Sequence, residues 1–304
     1  MKNKVSHRIT RFFRRIIPYN SFIYRVFYQI YIRLFAFSKL KKKRPDQIDV
    51  QIHAVEHCNL GCKWCNAFSP IADEKFAKIE EIEADLKRFS ELTGSVLRKL
   101  IVSGGEPLLH PRLHDIFECA RKYFPDCVLE IITNGLLLKN APDTFWKSCN
   151  ENDVTISVTR YPIENNTEKI ELLAKSHHVK LVYQDDTDIR EKTMYFTPLD
   201  PSGKQDAASS YRLCYMSNYC FVLENGRLYT CPTVAHIEFI NKYFKQDFIV
   251  SEHDYADIYQ MTNIDDILSR FQKSIPFCRY CVKRHRLSGL NWALSEKDMT
   301  EWIC

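Results

Sequence analysis

The chain has 304 residues, of which 45% are hydrophobic and 27% are charged, a composition typical of a folded protein. With only 8 glycines and no internal repeat, it is neither a low-complexity nor a fibrous chain. Its 12 cysteines occur at short, clustered spacings, which exclude a small disulfide scaffold and favour metal ligation in a reducing compartment. We therefore predict a cytoplasmic location.

The net charge of +5 conceals a strong asymmetry, because residues 1–44 carry 13 Lys/Arg and no Asp/Glu, against 30 basic and 38 acidic residues in the remainder. Apolar side chains of this arm recur at helical spacing and predict an amphipathic helix. These residues are Phe22, Ile23, Val26, Phe27, Ile30 and Leu34. We expect the arm, residues 1–46, either to associate with a membrane surface or to pack on the body of the protein. It carries no nucleic-acid recognition motif, so no nucleic-acid partner is expected.

The body of the chain alternates between strand and helix patterns. Predicted strands cover residues 49–55, 100–102, 128–133, 154–158 and 179–183, and apolar stripes at helical spacing lie between them. This alternation predicts an α/β fold with a parallel sheet, a partial (β/α)6 TIM-like barrel over residues 47–205. A small cysteine-rich domain, residues 206–304, is predicted to follow. Chemistry in such folds gathers at the carboxyl ends of the strands.

A cysteine loop follows the first predicted strand. Cys58, Cys62 and Cys65 give the spacing C-x3-C-x2-C. Three thiolates can hold a [4Fe-4S] cluster and leave one iron open for an external ligand. The same thiolates can hold zinc with a fourth ligand such as His57, so the spacing alone leaves both metals open.

The motif Gly104-Gly105-Glu106-Pro107 follows the second predicted strand. Together with the cysteine loop, and with an aromatic residue before the last of the three cysteines, it resembles the radical S-adenosylmethionine (SAM) superfamily over residues 48–200. The resemblance implies that the cluster iron binds the methionine moiety of SAM. It further implies that Gly104 and Gly105 let the backbone approach SAM and that Glu106 accepts its ammonium group.

The resemblance also assigns SAM contacts outside these two motifs. Trp64 is expected near the adenine, and Asn134, Ser157 and Arg160 are expected near the ribose or carboxylate. Ordinary capping of strand ends is the alternative role for the last three residues. In this family the reduced cluster cleaves SAM to a 5′-deoxyadenosyl radical, which removes hydrogen from an unactivated C–H bond of the substrate.

A second group of cysteines follows the predicted barrel. Cys214 and Cys231 bracket a predicted hairpin, and Cys278 and Cys281 form a C-x2-C pair downstream. This arrangement resembles the Twitch domain, a shortened relative of the SPASM domain. The resemblance implies that these four cysteines bind an auxiliary [4Fe-4S] cluster, while a four-cysteine zinc site is the alternative.

Three further positions near these cysteines are open to more than one role. Cys220 is a candidate either to replace Cys214 as a ligand or to return hydrogen to a substrate radical as a catalytic thiol. His285 and Trp292 are expected to be surface or packing residues rather than substrate contacts.

The combined resemblance implies a radical SAM oxidoreductase. The leading hypothesis is dehydrogenation of a small sugar-like substrate, related to surface-polysaccharide synthesis, with the auxiliary cluster taking one electron. A reductase such as flavodoxin or ferredoxin is the expected electron-donating partner. Epimerisation of a sugar carbon ranks second and peptide modification third. A non-catalytic zinc-binding adaptor is the hypothesis from another class, and an ammonium-binding carboxylate beside the metal argues against it.

Overall fold

The computed structural model describes residue 26 and residues 43–184, 193–214, 216–217, 220–282 and 287–304. Apart from Val26, the predicted amphipathic helix of the arm lies outside the described residues, and so does His285. Among the helices that are described, none combines the length and the apolar character needed to cross a membrane.

Strands and α-helices alternate through the first part of the body, as the sequence predicts. The strands are β1 (Asp49–Val55), β2 (Lys99–Gly104), β3 (Val128–Thr133), β4 (Val154–Val158), β5 (Leu181–Tyr183), β6 (Thr193–Phe196), β7 (Cys220–Glu224), β8 (Arg227–Tyr229), β9 (Tyr255–Asp257) and β10 (Leu287–Asn291). The α-helices are α1 (Ile79–Thr93), α2 (Leu113–Tyr123), α3 (Asp143–Glu151), α4 (Thr167–Ser176), α5 (Ala207–Leu213), α6 (Pro232–Ala235), α7 (Ile237–Phe244) and α8 (Ile264–Arg270).

An eight-stranded sheet organises the molecule, in the order β5-β4-β3-β2-β1-β7-β8-β9. The five strands from β1 to β5 are parallel and follow one another in chain order, which confirms the predicted α/β fold. Sequential parallel strands with right-handed connections place their helices on the same face of the sheet, as in a TIM-like half-barrel.

The six-strand barrel is not what the described residues form. The strand after β5 in the chain, β6, pairs antiparallel with β10 in a separate two-stranded sheet. On the other side, β7 pairs parallel with β1, and β8 and β9 extend the sheet antiparallel. The hairpin expected in a second domain therefore continues the main sheet, and the division at residues 205/206 stays a prediction.

The two faces of the parallel strands differ in character. The face that belongs to the hydrophobic core is aliphatic, and its side chains are buried together with the apolar stripes of α1 and α2. The strand residues of this face are Val50, Ile52, Leu100, Val102, Leu129, Ile131, Val154, Ile156 and Val158. The opposite face carries polar residues such as Gln51, Glu130 and Ser157, which alternate with the core-face residues along their strands. A sheet that is apolar on one side only leaves its other side available for chemistry.

The predicted hairpin is confirmed, and its turn has the expected conformation. Asn225 and Gly226 have φ values of 50° and 73°, which a two-residue turn between right-twisted strands requires. The Gly226 N–H also donates to the Asp85 carboxylate on α1 at 2.8 Å. This bond joins the hairpin to the first helix of the body.

We expect Ile131→Ala to lower the free energy of unfolding by about 2–5 kcal/mol, because Ile131 is fully buried in the middle of β3. Val128→Ala on the same strand is the control, since Val128 is 48% exposed and its truncation should cost less than about 1 kcal/mol. Urea unfolding monitored by circular dichroism measures both values. Equal losses would contradict the assignment of Ile131 to the core face.

Candidate active site

The cysteine loop leaves the carboxyl end of β1 and is held there by backbone pairing. The Glu56 N–H donates to the Lys75 carbonyl at 3.1 Å, and Val55 forms an isolated bridge with Phe76. Cys58, Cys62 and Cys65 are free thiols, as predicted for ligands. Their sulfurs do not all lie within 4.8 Å of one another.

The environment of these sulfurs combines burial with hydrogen-bond donors. Burial raises the pKa of Cys62 to about 12 and also raises the pKa of Cys58. The Leu60 N–H donates to Cys58 Sγ at 3.4 Å, and the Trp292 indole N–H donates to Cys62 Sγ at 3.1 Å. A thiol with such a high pKa becomes a thiolate at neutral pH only when a metal takes its charge.

The C-terminal segment covers this loop. The Lys63 N–H donates to the Ala293 carbonyl at 2.9 Å, and the Ser295 N–H donates to the Gly61 carbonyl at 2.9 Å. The sequence favours a surface or packing role for Trp292, but this pairing brings its indole to a ligand sulfur. Because the two residues are 230 positions apart, no local sequence pattern links them, and the contact has no signal in the sequence.

Tyr161 is a second residue near the sulfurs that the sequence analysis does not identify. Its side chain forms a hydrogen bond with Cys62, and its ring lies 5.6 Å from the Trp292 ring. Burial and the neighbouring cysteines raise the pKa of Tyr161 well above its usual value, so its hydroxyl remains protonated. Its position directly after Arg160, at the carboxyl end of β4, is the one available signal.

The glycine pair lets two loops lie in direct contact. A Cβ on Gly104 would lie 2.1 Å from the Val55 carbonyl oxygen, and one on Gly105 would lie 2.0 Å from that of His57. Gly104 also has φ 128°, which other residues rarely adopt. The glycines therefore hold the β2 loop against the beginning of the cysteine loop, while their approach to SAM stays a prediction.

The Glu106 carboxylate is completely buried and ties the ends of β2 and β3 together. It accepts hydrogen bonds from Thr133 Oγ1 at 2.7 Å, from the Asn134 N–H at 2.9 Å and from the Leu108 N–H at 3.1 Å. Burial outweighs these donors and raises the pKa of Glu106 to about 7. A carboxylate offers about four acceptor positions, of which three are used within the protein, and the ammonium contact of Glu106 stays a prediction.

The residues expected around SAM occupy the same edge of the sheet. Asn134 Nδ2 donates to Asn59 Oδ1 at 2.8 Å and lies 3.8 Å from Cys58 Sγ. Ser157 is buried on the polar face of β4, and the Arg160 guanidinium lies 5.0 Å from the ring centre of Tyr183. Half-buried Trp64 has φ 58° and lies beneath the Lys63 ammonium. Their contacts with SAM remain predictions.

Cys220 lies at the amino end of the parallel strands, opposite to the end that carries the cysteine loop. It is the first residue of β7 and pairs with Asp49, the first residue of β1. Six residue steps separate Asp49 from Val55, or about 20 Å at 3.3 Å per residue. The thiol is also buried, and its pKa is raised to about 12. This position does not favour Cys220 as a hydrogen donor or substitute ligand, and that assignment stays a prediction.

The other four downstream cysteines do converge. Cys214, Cys231, Cys278 and Cys281 line one cavity of about 40 Å³, although they come from three different parts of the chain. No three of their sulfurs lie within 4.8 Å of one another among the described residues. The cavity is also lined by Asn66, the residue that follows the last cysteine of the first group.

The comparison with family models agrees with this geometry. The Radical SAM superfamily model matches residues 52–181, from β1 to β5. These residues of the chain thus form a radical SAM domain. Its cofactors are a [4Fe-4S] cluster, for which Cys58, Cys62 and Cys65 supply suitable donors, and SAM.

Individual relatives share only part of the chain. The GTP 3′,8-cyclase of Sulfurimonas denitrificans is 32% identical over 94 residues, 30% of this chain and 28% of that protein. The GTP 3′,8-cyclase of Aquifex aeolicus is 28% identical over 130 residues, which are 41% and 39% of the two chains. Matched residues thus span well under half the length of these relatives. Among solved structures, BtrN in complex with AdoMet and 2-DOIA has a TM-score of 0.48 at 16% identity, covering 79% of this chain and 94% of that chain.

Glu106→Gln tests the buried carboxyl by its effect on pH-dependent stability. Because the folded-state pKa of Glu106 is raised to about 7 from 4.5, folded protein holds a proton that unfolded protein releases between these values. The wild-type free energy of unfolding should therefore fall as pH rises from 5 to 8, on the order of a few kcal/mol more than in the variant. Urea unfolding of the cluster-free protein across this range measures the difference. Parallel pH profiles would contradict it.

Trp292→Phe removes the indole donor to Cys62 and keeps an aromatic ring. An N–H···S bond stabilises the more negative, reduced cluster, so its loss should lower the midpoint potential by tens of millivolts, since about 59 mV corresponds to 1.4 kcal/mol for one electron. Trp302→Phe is the matched control, because the Trp302 indole donates to the backbone carbonyl of Cys65 at 3.1 Å. Redox titration followed by electron paramagnetic resonance should show a shift in the first variant only. Equal potentials in both variants would sink the inference.

Proposed function

We propose that the chain oxidises a small sugar-like substrate by two electrons, in a reaction begun by reductive cleavage of SAM. The observation that carries the proposal is the convergence of four cysteines on one cavity next to the first cysteine loop. Four thiol ligands suit an auxiliary [4Fe-4S] cluster with no iron open to substrate, which is the form suited to electron transfer.

The electron count explains why a second redox centre is needed. Together, the bound cluster and SAM supply a 5′-deoxyadenosyl radical, which takes one hydrogen atom from the substrate. Loss of a hydrogen atom from a carbinol carbon leaves a substrate radical, and loss of the hydroxyl proton and one electron then gives a carbonyl. That electron needs an acceptor. Cys65 of the first group and Asn66 at the second cavity are consecutive residues, so the chain provides a short connection.

The residues around the first loop suit the containment of a reactive centre. Segment 292–295 pairs with the loop backbone, and the Trp292 and Tyr161 side chains fill the space beside Cys62. The buried Glu106 fixes the relative position of the β2 and β3 ends. Such packing excludes water and holds a substrate in one orientation, which is the main contribution of protein to radical chemistry.

Other hypotheses have less support. Epimerisation needs a hydrogen donor near the substrate, and Cys220 lies at the end of the parallel strands that is opposite to the cysteine loop. A zinc-binding adaptor is disfavoured because it has no need of the buried Glu106 carboxylate beside the first cysteine loop. Peptide modification has no recognisable peptide-binding segment in the sequence. Cyclisation of GTP is suggested by the names of the partial relatives, so GTP belongs among the substrates to be tested.

The proposed partners follow from the same scheme. A flavodoxin or ferredoxin would supply the electron that begins the reaction, and no nucleic-acid partner is proposed. We keep the cytoplasm as the proposed location. Association of the basic arm with a membrane surface would bring the enzyme to membrane-proximal sugar intermediates, and it stays a prediction because the arm lies outside the described residues.

The iron content after anaerobic reconstitution tests the two-cluster scheme. Wild type should bind about eight irons and eight sulfides per chain, because each [4Fe-4S] cluster contributes four. A Cys58/Cys62/Cys65 triple alanine variant and a Cys278/Cys281 double alanine variant should each keep about four. Only the first should lose reductive SAM cleavage. Cys149→Ala is the control, since Cys149 is a buried cysteine outside both groups. About four irons in wild type would contradict the auxiliary cluster.

Product analysis separates the reaction types. With dithionite and SAM, aminocyclitols and nucleotide sugars are tested beside GTP, and 5′-deoxyadenosine is quantified. The proposal expects a product two mass units lighter than a sugar-like substrate and one deoxyadenosine per product. A product of unchanged mass that gains solvent deuterium would indicate epimerisation. Consumption of GTP alone would favour the cyclase alternative.

A further inference from the structure

A group of four ionisable side chains lies buried at the junction between β1 and the hairpin, apart from both groups of cysteines. His53 and Glu56 come from the end of β1, Glu224 ends β7, and His236 lies between α6 and α7. His53, Glu56 and His236 are almost inaccessible to solvent, and each has a potential ligand atom within 4.8 Å of those of the other two.

The distances between these atoms resemble the edges of a coordination polyhedron. His53 Nδ1 lies 3.3 Å from Glu56 Oε2, and His236 Nδ1 lies 3.6 Å from the same oxygen. His236 Nδ1 also lies 3.4 Å from Glu224 Oε2. Tetrahedral ligands at 2.0–2.1 Å from zinc are separated by about 3.4 Å. All three measured separations fall near that value.

His236 is the residue that these contacts leave unexplained. Its ring is 1% exposed, and among the described residues it has no hydrogen bond of ordinary length. Nδ1 faces two carboxylate oxygens at 3.4 and 3.6 Å, beyond the 2.7–3.2 Å of an N–H···O bond, and Nε2 has no partner. A buried polar group without a normal partner points to a bound water or ion.

We propose that His53, Glu56, Glu224 and His236 bind a first-row divalent cation, with zinc as the representative ion. Two imidazoles and two carboxylates form a mixed nitrogen and oxygen donor set that suits such ions. The cation would lie between carboxylates that are otherwise close together and buried. Four protein ligands leave no open position, so the site is structural rather than catalytic.

The surroundings provide what such a site requires beyond its ligands. The Gln51 amide nitrogen lies 2.8 Å from His53 Nε2; a 180° flip of this amide would bring its oxygen there to accept the ring N–H, which would leave Nδ1 for the metal. A cavity of about 300 Å³ is lined by His53, Glu56 and Glu224 and gives an entry path. The two imidazole rings are stacked with centroids 4.0 Å apart, so coordination requires one ring to rotate, and His53 is the ring that lines the cavity.

A cation at this point would join two parts of the sheet. It would connect the end of β1, two residues before Cys58, to the hairpin that leads into the second group of cysteines. Lys75 Nζ approaches the other oxygen of Glu224 at 3.9 Å, so the lysine and the cation use different oxygens. The inference concerns the protein framework and does not depend on the proposed oxidation of a sugar.

Zinc binding to the full chain with its clusters reconstituted tests the proposal. Occupying the cysteines with iron first prevents them from competing for the added ion. Zinc retained after gel filtration is measured by inductively coupled plasma mass spectrometry, and the thermal midpoint is measured with and without zinc. Wild type should retain about one zinc per chain and gain several degrees in its thermal midpoint.

His236→Gln and Glu224→Gln should weaken zinc binding at least tenfold and abolish the thermal shift, with iron content unchanged. His114→Gln is the matched control, because His114 lies on α2 outside the cluster and should leave both readouts as in wild type. If His236→Gln does not fold, the near-isosteric Glu224→Gln still decides. Wild type that retains no zinc, or zinc binding that persists in both variants, would overturn the proposal.

Discussion

The parallel pairing of β1 is the constraint on which the rest of the structure depends. This strand hydrogen-bonds to β2 on one side and to β7 on the other, so it joins the half of the sheet that carries the glycine motif to the hairpin. Its core-face side chains are fully buried, which fixes the register, because a shift by one residue would turn Gln51 and His53 into the core. The direction of β1 thus determines where the cysteine loop emerges.

Contact between the loops that follow β1 and β2 then forms the candidate active site at the carboxyl ends of the parallel strands. Only glycine fits at positions 104 and 105, because the Val55 and His57 carbonyls occupy the space that a side chain would need. Glu106 lies between the ends of β2 and β3. The C-terminal segment 292–295 covers the remaining side of the site, because its backbone pairs with the cysteine loop. Packing of neighbouring strand ends, rather than any single motif, gives the three cysteines one arrangement.

The parts of this structure that depend on local pattern could be predicted from the sequence. Alternating apolar periods indicate the five parallel strands and their helices, and Asn225-Gly226 indicates the hairpin turn. The pairing of the hairpin with β1 could not be predicted, because parallel pairing over about 170 residues has no local signature. The position of Cys220 at the start of β7 could not be predicted for that reason, since the prediction for Cys220 rests on neighbouring cysteines in sequence rather than on the strand that Cys220 begins.

Contacts between the C-terminal part of the chain and loops that are distant in sequence could not be predicted from the sequence either. Trp292 reaches Cys62 only because segment 292–295 pairs with the cysteine loop, and His236 stacks on His53 only because the hairpin lies beside β1. Both contacts place residues of the C-terminal third against the first strand and its loop. The radical SAM core of this protein is therefore not closed by its own strands alone. The segments that follow it supply donors to its sulfurs and cover its edge, so the environment of the first cluster depends on the same part of the chain that holds the second group of cysteines.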